Sequence, residues 1–199
     1  MRIVAIALAA VLAGGAAPAP RAADTDLATF ETLRLSAELA RAAERRGDPL
    51  LMLAAARLRR SAAVRLASAD ADRSLAWIAQ AERMGSADPR VLSLAADLRT
   101  EATKGRASGP RVSATVLRGG EQRAFVERFA AGRPAVVYLE GDGDSDLALR
   151  VGTASAVACR DLNPGDVKIC AWTPRGADPV KVEVVNVGTV QNRFILGTN

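Results

Sequence analysis

Apolar positions follow two different periods along this chain, and the change falls near residue 105. Between Asp24 and Lys104, Leu27, Phe30, Leu33, Ala37 and Ala40 recur at the spacing of one helix face. Arg46-Gly47-Asp48-Pro49 then closes that helix and opens another. Gly favours the position after a helix, Asp caps an N-terminus and Pro suits the first helical turn. The second helix is expected from Leu50 to about Leu66, with Leu51, Ala55, Leu58 and Ala62 on its apolar face. After a break at Ser68-Ala69-Asp70-Ala71-Asp72, a third helix carries Leu75, Ile78, Ala79 and Ala81. Gly85-Ser86-Ala87-Asp88-Pro89 repeats the stop-start signal before a fourth helix through Val91, Leu94, Ala95 and Leu98. The pattern predicts four helices in two antiparallel pairs.

Beyond Arg111, Val, Thr and Gly dominate and the apolar runs become short. Predicted strands are 112–117, 124–129, 135–140, 146–151, 156–159, 167–172, 180–187 and 191–196, separated by turn formers such as Arg118-Gly119-Gly120 and Gly176-Ala177-Asp178-Pro179. Short strands at such intervals indicate a sandwich or barrel. The expected fold class is α+β in two domains: antiparallel helical pairs at 24–104, a Gly/Ser/Pro linker at 105–111, and an antiparallel β-sandwich at 112–199.

Within the helical half the letters repeat. Ala43-Glu44-Arg45-Arg46-Gly47 matches Ala81-Glu82-Arg83-Met84-Gly85, and Asp48-Pro49 matches Asp88-Pro89. This layout resembles tetratricopeptide-type repeats, although their aromatic signature positions hold Ala or Arg here. It fits either a peptide-binding groove or a helical spacer. In the second half, Val136-Val137-Tyr138-Leu139-Glu140-Gly141-Asp142-Gly143-Asp144-Ser145-Asp146-Leu147-Ala148-Leu149, then Ala171-Trp172-Thr173-Pro174, then Val184 to Leu196, resemble in order the bacterial pre-peptidase C-terminal domains. The resemblance implies a jelly-roll-like β-sandwich, an accessory module of secreted proteins serving substrate binding, solubility or folding. The stretch Ala148-Leu149-Arg150-Val151-Gly152 departs from that family, whose members often carry acidic and aromatic residues there.

The start of the chain sets the compartment. Met1-Arg2, an apolar run from Ile3 to Ala13, and the small residues from Gly14 to Pro20 have the form of a signal peptide, expected at 1–23. Cleavage fits after Ala16, Ala19 or Ala23. The apolar run is shorter than the roughly 20 residues of a membrane-spanning helix, so a periplasmic or secreted product that does not span the membrane is expected. The formal charge of +5 includes Arg2 and Arg21, so cleavage after Ala23 leaves +3. That weak field, with Arg interleaved among Asp and Glu, argues against nucleic acid as a partner.

Only two cysteines occur, Cys159 and Cys170, flanking Asn163-Pro164-Gly165-Asp166. Pro and Gly at its second and third positions suit a type II turn. Counting outward through a hairpin sets Cys159 opposite Cys170, and an exported chain is expected to oxidise them to a structural disulfide. Glu140, Asp142, Asp144 and Asp146 form one acidic cluster. Asp142, Asp144 and Asp146 are candidate Ca²⁺ ligands, carboxylates in a Gly-rich loop being the oxygens that ion prefers; the other explanation is turn formation.

The chain has no His, which removes Ser-His-Asp and Cys-His mechanisms and His-based zinc sites. No cofactor is expected apart from that Ca²⁺. The resulting expectation is a non-enzymatic binding or structural protein of the envelope, engaging a protein or glycan partner, with Trp77, Trp172 and Tyr138 as available aromatic anchors. Alternatives are a small carboxylate-dependent hydrolase of envelope polymers and a passive, stress-related structural protein.

Overall fold

The structure, a computed structural model, describes residues 22–101 and 109–199. The expected signal peptide lies outside the described residues except for its last two positions, and so does most of the expected linker. Four helices come first: α1 (Ala22–Arg46), α2 (Pro49–Ser61), α3 (Ser74–Met84) and α4 (Pro89–Thr100). The two Asp-Pro signals act as read from the sequence. Asp48 accepts a bond from Leu51 N, Asp88 accepts one from Arg90 N, and each Pro opens its helix. Ala40, Ala43, Met52, Ala55, Ile78, Ala81, Val91 and Ala95 form the core between the helices.

Nine strands follow or interleave: β1 (Arg65–Leu66), β2 (Arg111–Leu117), β3 (Gln122–Glu127), β4 (Ala135–Glu140), β5 (Leu147–Gly152), β6 (Val157–Asp161), β7 (Val167–Trp172), β8 (Val180–Asn186) and β9 (Asn192–Thr198). They make two sheets, β1-β2-β9-β4-β7 and β3-β8-β5-β6, antiparallel except for the short parallel β1–β2 pair. Between the sheets lies a core of Val137, Leu139, Leu149, Val151, Val182, Val184, Phe194 and their neighbours.

The second helix is shorter than its apolar pattern predicts. It ends at Ser61, and Arg65–Leu66 joins the five-stranded sheet beside Arg111–Val112. Arg65 N donates to Pro110 O and Ala67 N to Val112 O, so the helical half supplies an edge strand to the β half. A third core runs across this junction, where Phe30, Leu33, Ala62 and Val64 pack on Val112, Val136, Tyr138 and Ile195. The five-stranded sheet is therefore covered on both faces, and all six residues of β4 are buried. The four-stranded sheet presents its outer face to solvent. Three layers result: helices, covered sheet, open sheet.

Candidate functional site

Two polar constellations and one cleft bear on function. The first constellation is buried at the junction of helices and sandwich. Arg59 Nη1 lies 2.5 Å from Glu140 Oε2, Arg73 Nε lies 3.5 Å from Glu140 Oε1, and Tyr138 donates its hydroxyl to the same carboxylate. Arg59 also sits 5.4 Å from the Trp77 ring centroid, and Phe30 stacks on Tyr138 at 5.5 Å. Burial alone would raise the Glu140 pKa, but the charges of Arg59 and Arg73 and the Tyr138 hydroxyl pull it below the ordinary carboxylate value. Burial, with the Glu140 charge adding to it, pushes the Tyr138 phenol well above 10. Arg73 further donates to Gly141 O and Arg193 O. With every member partnered and only Arg73 reaching toward solvent, this cluster holds the two halves together.

The second constellation is the acidic loop between β4 and β5. Its carboxylates are engaged by backbone donors: Asp142 accepts from Arg193 N at 2.8 Å and Asp144 N at 3.3 Å, and Asp146 accepts from Gly165 N at 2.9 Å. Asp144 is exposed, and Glu140 belongs to the buried cluster instead. Asp166, outside the expected set, pairs with Arg41 of α1 and accepts from Gly143 N. No three His, Cys, Asp or Glu among the described residues are gathered as metal ligands. Asp142, Asp144 and Asp146 are thus neighbours along the loop rather than a converging set.

Cys159 and Cys170 are joined, with Cα atoms 5.8 Å apart, but the hairpin expected between them does not exist. β6 pairs with β5 and β7 pairs with β4, in different sheets. The intervening turn keeps positive φ at Gly165, as a type II turn requires, yet it arches from one sheet to the other. Leu147 N and Gly141 N donate to its Gly165 and Asp166 carbonyls. Counting outward from a turn cannot distinguish a hairpin from such an arch, because both place the same residues opposite each other. Burying Leu149 and Val151 in one sheet and Val137 and Leu139 in the other decides for the arch. The disulfide is therefore a staple between the two sheets.

Beside this staple the sandwich opens into a cleft of about 480 Å³. On one side Trp172, two residues past Cys170 in β7, is half-buried and packs edge to face with Phe129 at 4.9 Å. On the other, the β5–β6 register shifts: Val151 faces Cys159 but Gly152 faces Val157, leaving Ala158 as an extra residue. Such a bulge re-aims side chains, and Val157 is 74% exposed. A Cβ on Gly152 would lie 2.5 Å from Ala156 O, so the tight turn feeding the bulge needs glycine there. Thr153, Ser155, Arg175 and Asp178 line the cleft alongside these apolar groups. Trp172 was visible in the sequence as an aromatic; the bulge left no letter-level signal, because Ala and Val are ordinary strand residues.

No protein-family profile matches the chain, and no curated protein matches it significantly. Solved structures do. The pre-peptidase C-terminal domain of collagenase from Bacillus anthracis matches at 11% identity and TM-score 0.37, over 44% of this chain and 87% of that one. A periplasmic inhibitor of g-type lysozyme from Aeromonas hydrophila matches at 11% identity and TM-score 0.34, over 45% of this chain and 86% of that one. A capsular polysaccharide assembling protein from Staphylococcus aureus matches at 8% identity and TM-score 0.32, over 63% of this chain and 40% of that one.

Proposed function

We propose that this chain is an exported, non-catalytic binding protein of the cell envelope, periplasmic or secreted, and that the cleft beside the disulfide holds a glycan partner. The observation that supports it is Trp172 facing an outward-aimed Val157 in a cleft edged by hydroxyl, guanidinium and carboxylate groups. A sugar ring has apolar C–H faces and a rim of hydroxyls, and an aromatic floor with a few polar groups complements both. Against hydrolysis, Asp178 is the single carboxylate among the cleft's lining residues, whereas glycoside cleavage uses a pair.

Tryptophan fluorescence tests this directly, since the chain has two tryptophans and Trp77→Phe leaves Trp172 as the sole emitter. Titration with envelope polysaccharide fragments is expected to change that emission. Trp172→Ala, which removes the emitter and is therefore followed by titration calorimetry, is expected to weaken binding about tenfold or more, on the order of 1.4 kcal/mol. A crosslinked pull-down that returns one stoichiometric protein and no glycan would transfer the cleft to a protein partner. Turnover of the fragments would restore the hydrolase.

A further inference from the structure

On the open face of the four-stranded sheet, Arg150 of β5 and Arg160 of β6 stand directly opposite each other. Both are exposed. The cross-strand neighbour of Arg150 on its other side is Glu183, whose carboxylate is taken by Lys181 Nζ at 2.6 Å. Neither arginine has an ion-pair or hydrogen-bond partner among the described residues. Like charges in this position repel, with Cα atoms only about 4.5–5.5 Å apart. Two planar guanidinium forks side by side match the oxygens of one carboxylate or phosphate. Ala158, two residues before Arg160, forms part of the cleft wall, which puts Arg160 about 7 Å along β6 from that wall, with Arg150 one strand further.

We propose that Arg150 and Arg160 bind an oxyanion carried by the ligand of the cleft, so that the partner is an anionic polysaccharide. The polysaccharide rests on the glycan reading of the cleft; the oxyanion site stands on the arginine pair alone. Two measurements separate them. In the first, sodium phosphate is compared with sodium chloride at matched ionic strength by thermal melting. Phosphate is expected to raise the Tm of the wild type and not that of R150Q/R160Q, whose Tm in chloride should equal or exceed the wild-type value. Equal phosphate shifts in both proteins would overturn the oxyanion site. In the second, galacturonate and mannuronate oligomers are titrated against their methyl esters by Trp172 fluorescence. The acids are expected to bind the wild type about tenfold more tightly than the esters at low salt, with a ratio near one in R150Q/R160Q. Equal affinity of acid and ester in the wild type would overturn the anionic ligand. Binding of neither would remove the glycan, while the phosphate comparison would still decide the arginine pair.

Discussion

Arg59 of α2 and Glu140 of β4, 81 positions apart in sequence, meet at 2.5 Å inside the protein, and both side chains are almost wholly buried. A charge pair in that setting holds only while each member has its counterpart. Removing Glu140 leaves Arg59 desolvated without a counter-ion, and removing Arg59 leaves Glu140 only Arg73 and the Tyr138 hydroxyl, at a cost of up to about 3–5 kcal/mol. Glu140→Gln and Arg59→Met are each expected to lower the urea midpoint by a corresponding amount. The double variant Arg59→Met/Glu140→Leu should lie closer to the wild type than either single change.

The same cluster sets the pH dependence of stability. The folded pKa of Glu140 is depressed, so the unfolded chain binds more protons in the acid range. Its contribution is complete above the unfolded value of about 4.3 and is lost as pH falls through the lower folded value. Tyr138 is raised, so its contribution is complete below about 10 and fades as pH rises above that. Urea midpoints measured across both windows are expected to fall at each end. Glu140→Gln should flatten the acid limb, and Tyr138→Phe the alkaline one.

Breaking the inter-sheet staple should weaken the fold and the cleft together. With the cysteines 11 positions apart along the chain, the loop-entropy cost of losing the bond is about 3 kcal/mol. Cys159→Ser/Cys170→Ser is expected to unfold at lower urea and to show a faster-exchanging backbone at 157–159 and 170–172 in hydrogen-exchange mass spectrometry. Alkylation of the unreduced protein should find no free thiol.

Gly197 lies under the Phe30 ring, and a Cβ there would sit 2.5 Å from a ring carbon. Phe30 also stacks on Tyr138, the cross-strand partner of Gly197, so its ring is already fixed against this stretch of the sheet. Gly197→Ala is expected to destabilise by about 1–3 kcal/mol, and Phe30→Leu should rescue part of that loss. Denaturant melts of the two single variants and the double variant measure the coupling.

The helix layer and the sandwich are expected to depend on each other. Residues 109–199 expressed alone would bare Val112, Val136, Tyr138 and Ile195 together with the Glu140 carboxylate. That fragment should bind the dye ANS strongly or aggregate, whereas the full chain should not. A fragment that stays monomeric and dye-silent would show that the sandwich stands by itself.

Local rules were enough for most of the elements, the edge strand Arg65–Leu66 excepted. Helix caps at Asp48 and Asp88 and the turn at Pro164-Gly165 depend on neighbours in the chain, and the structure carries each of them. The identity of the disulfide was legible too, since two cysteines have one way to pair with each other. Tertiary structure decided what those elements face. Leu58 and Arg59 are adjacent on α2, and hydrophobicity favours burying Leu58, yet Arg59 is the more buried because Glu140 waits across the junction. Glu140 itself reads as part of an acidic loop until its strand is covered on both faces. Likewise the arch at 162–166, the bulge at Ala158 and the facing arginines 150 and 160 exist only once the strands have been dealt between two sheets. Sheet membership is settled by the total apolar area buried, a sum over residues far apart in sequence, and a local window of letters does not contain that sum.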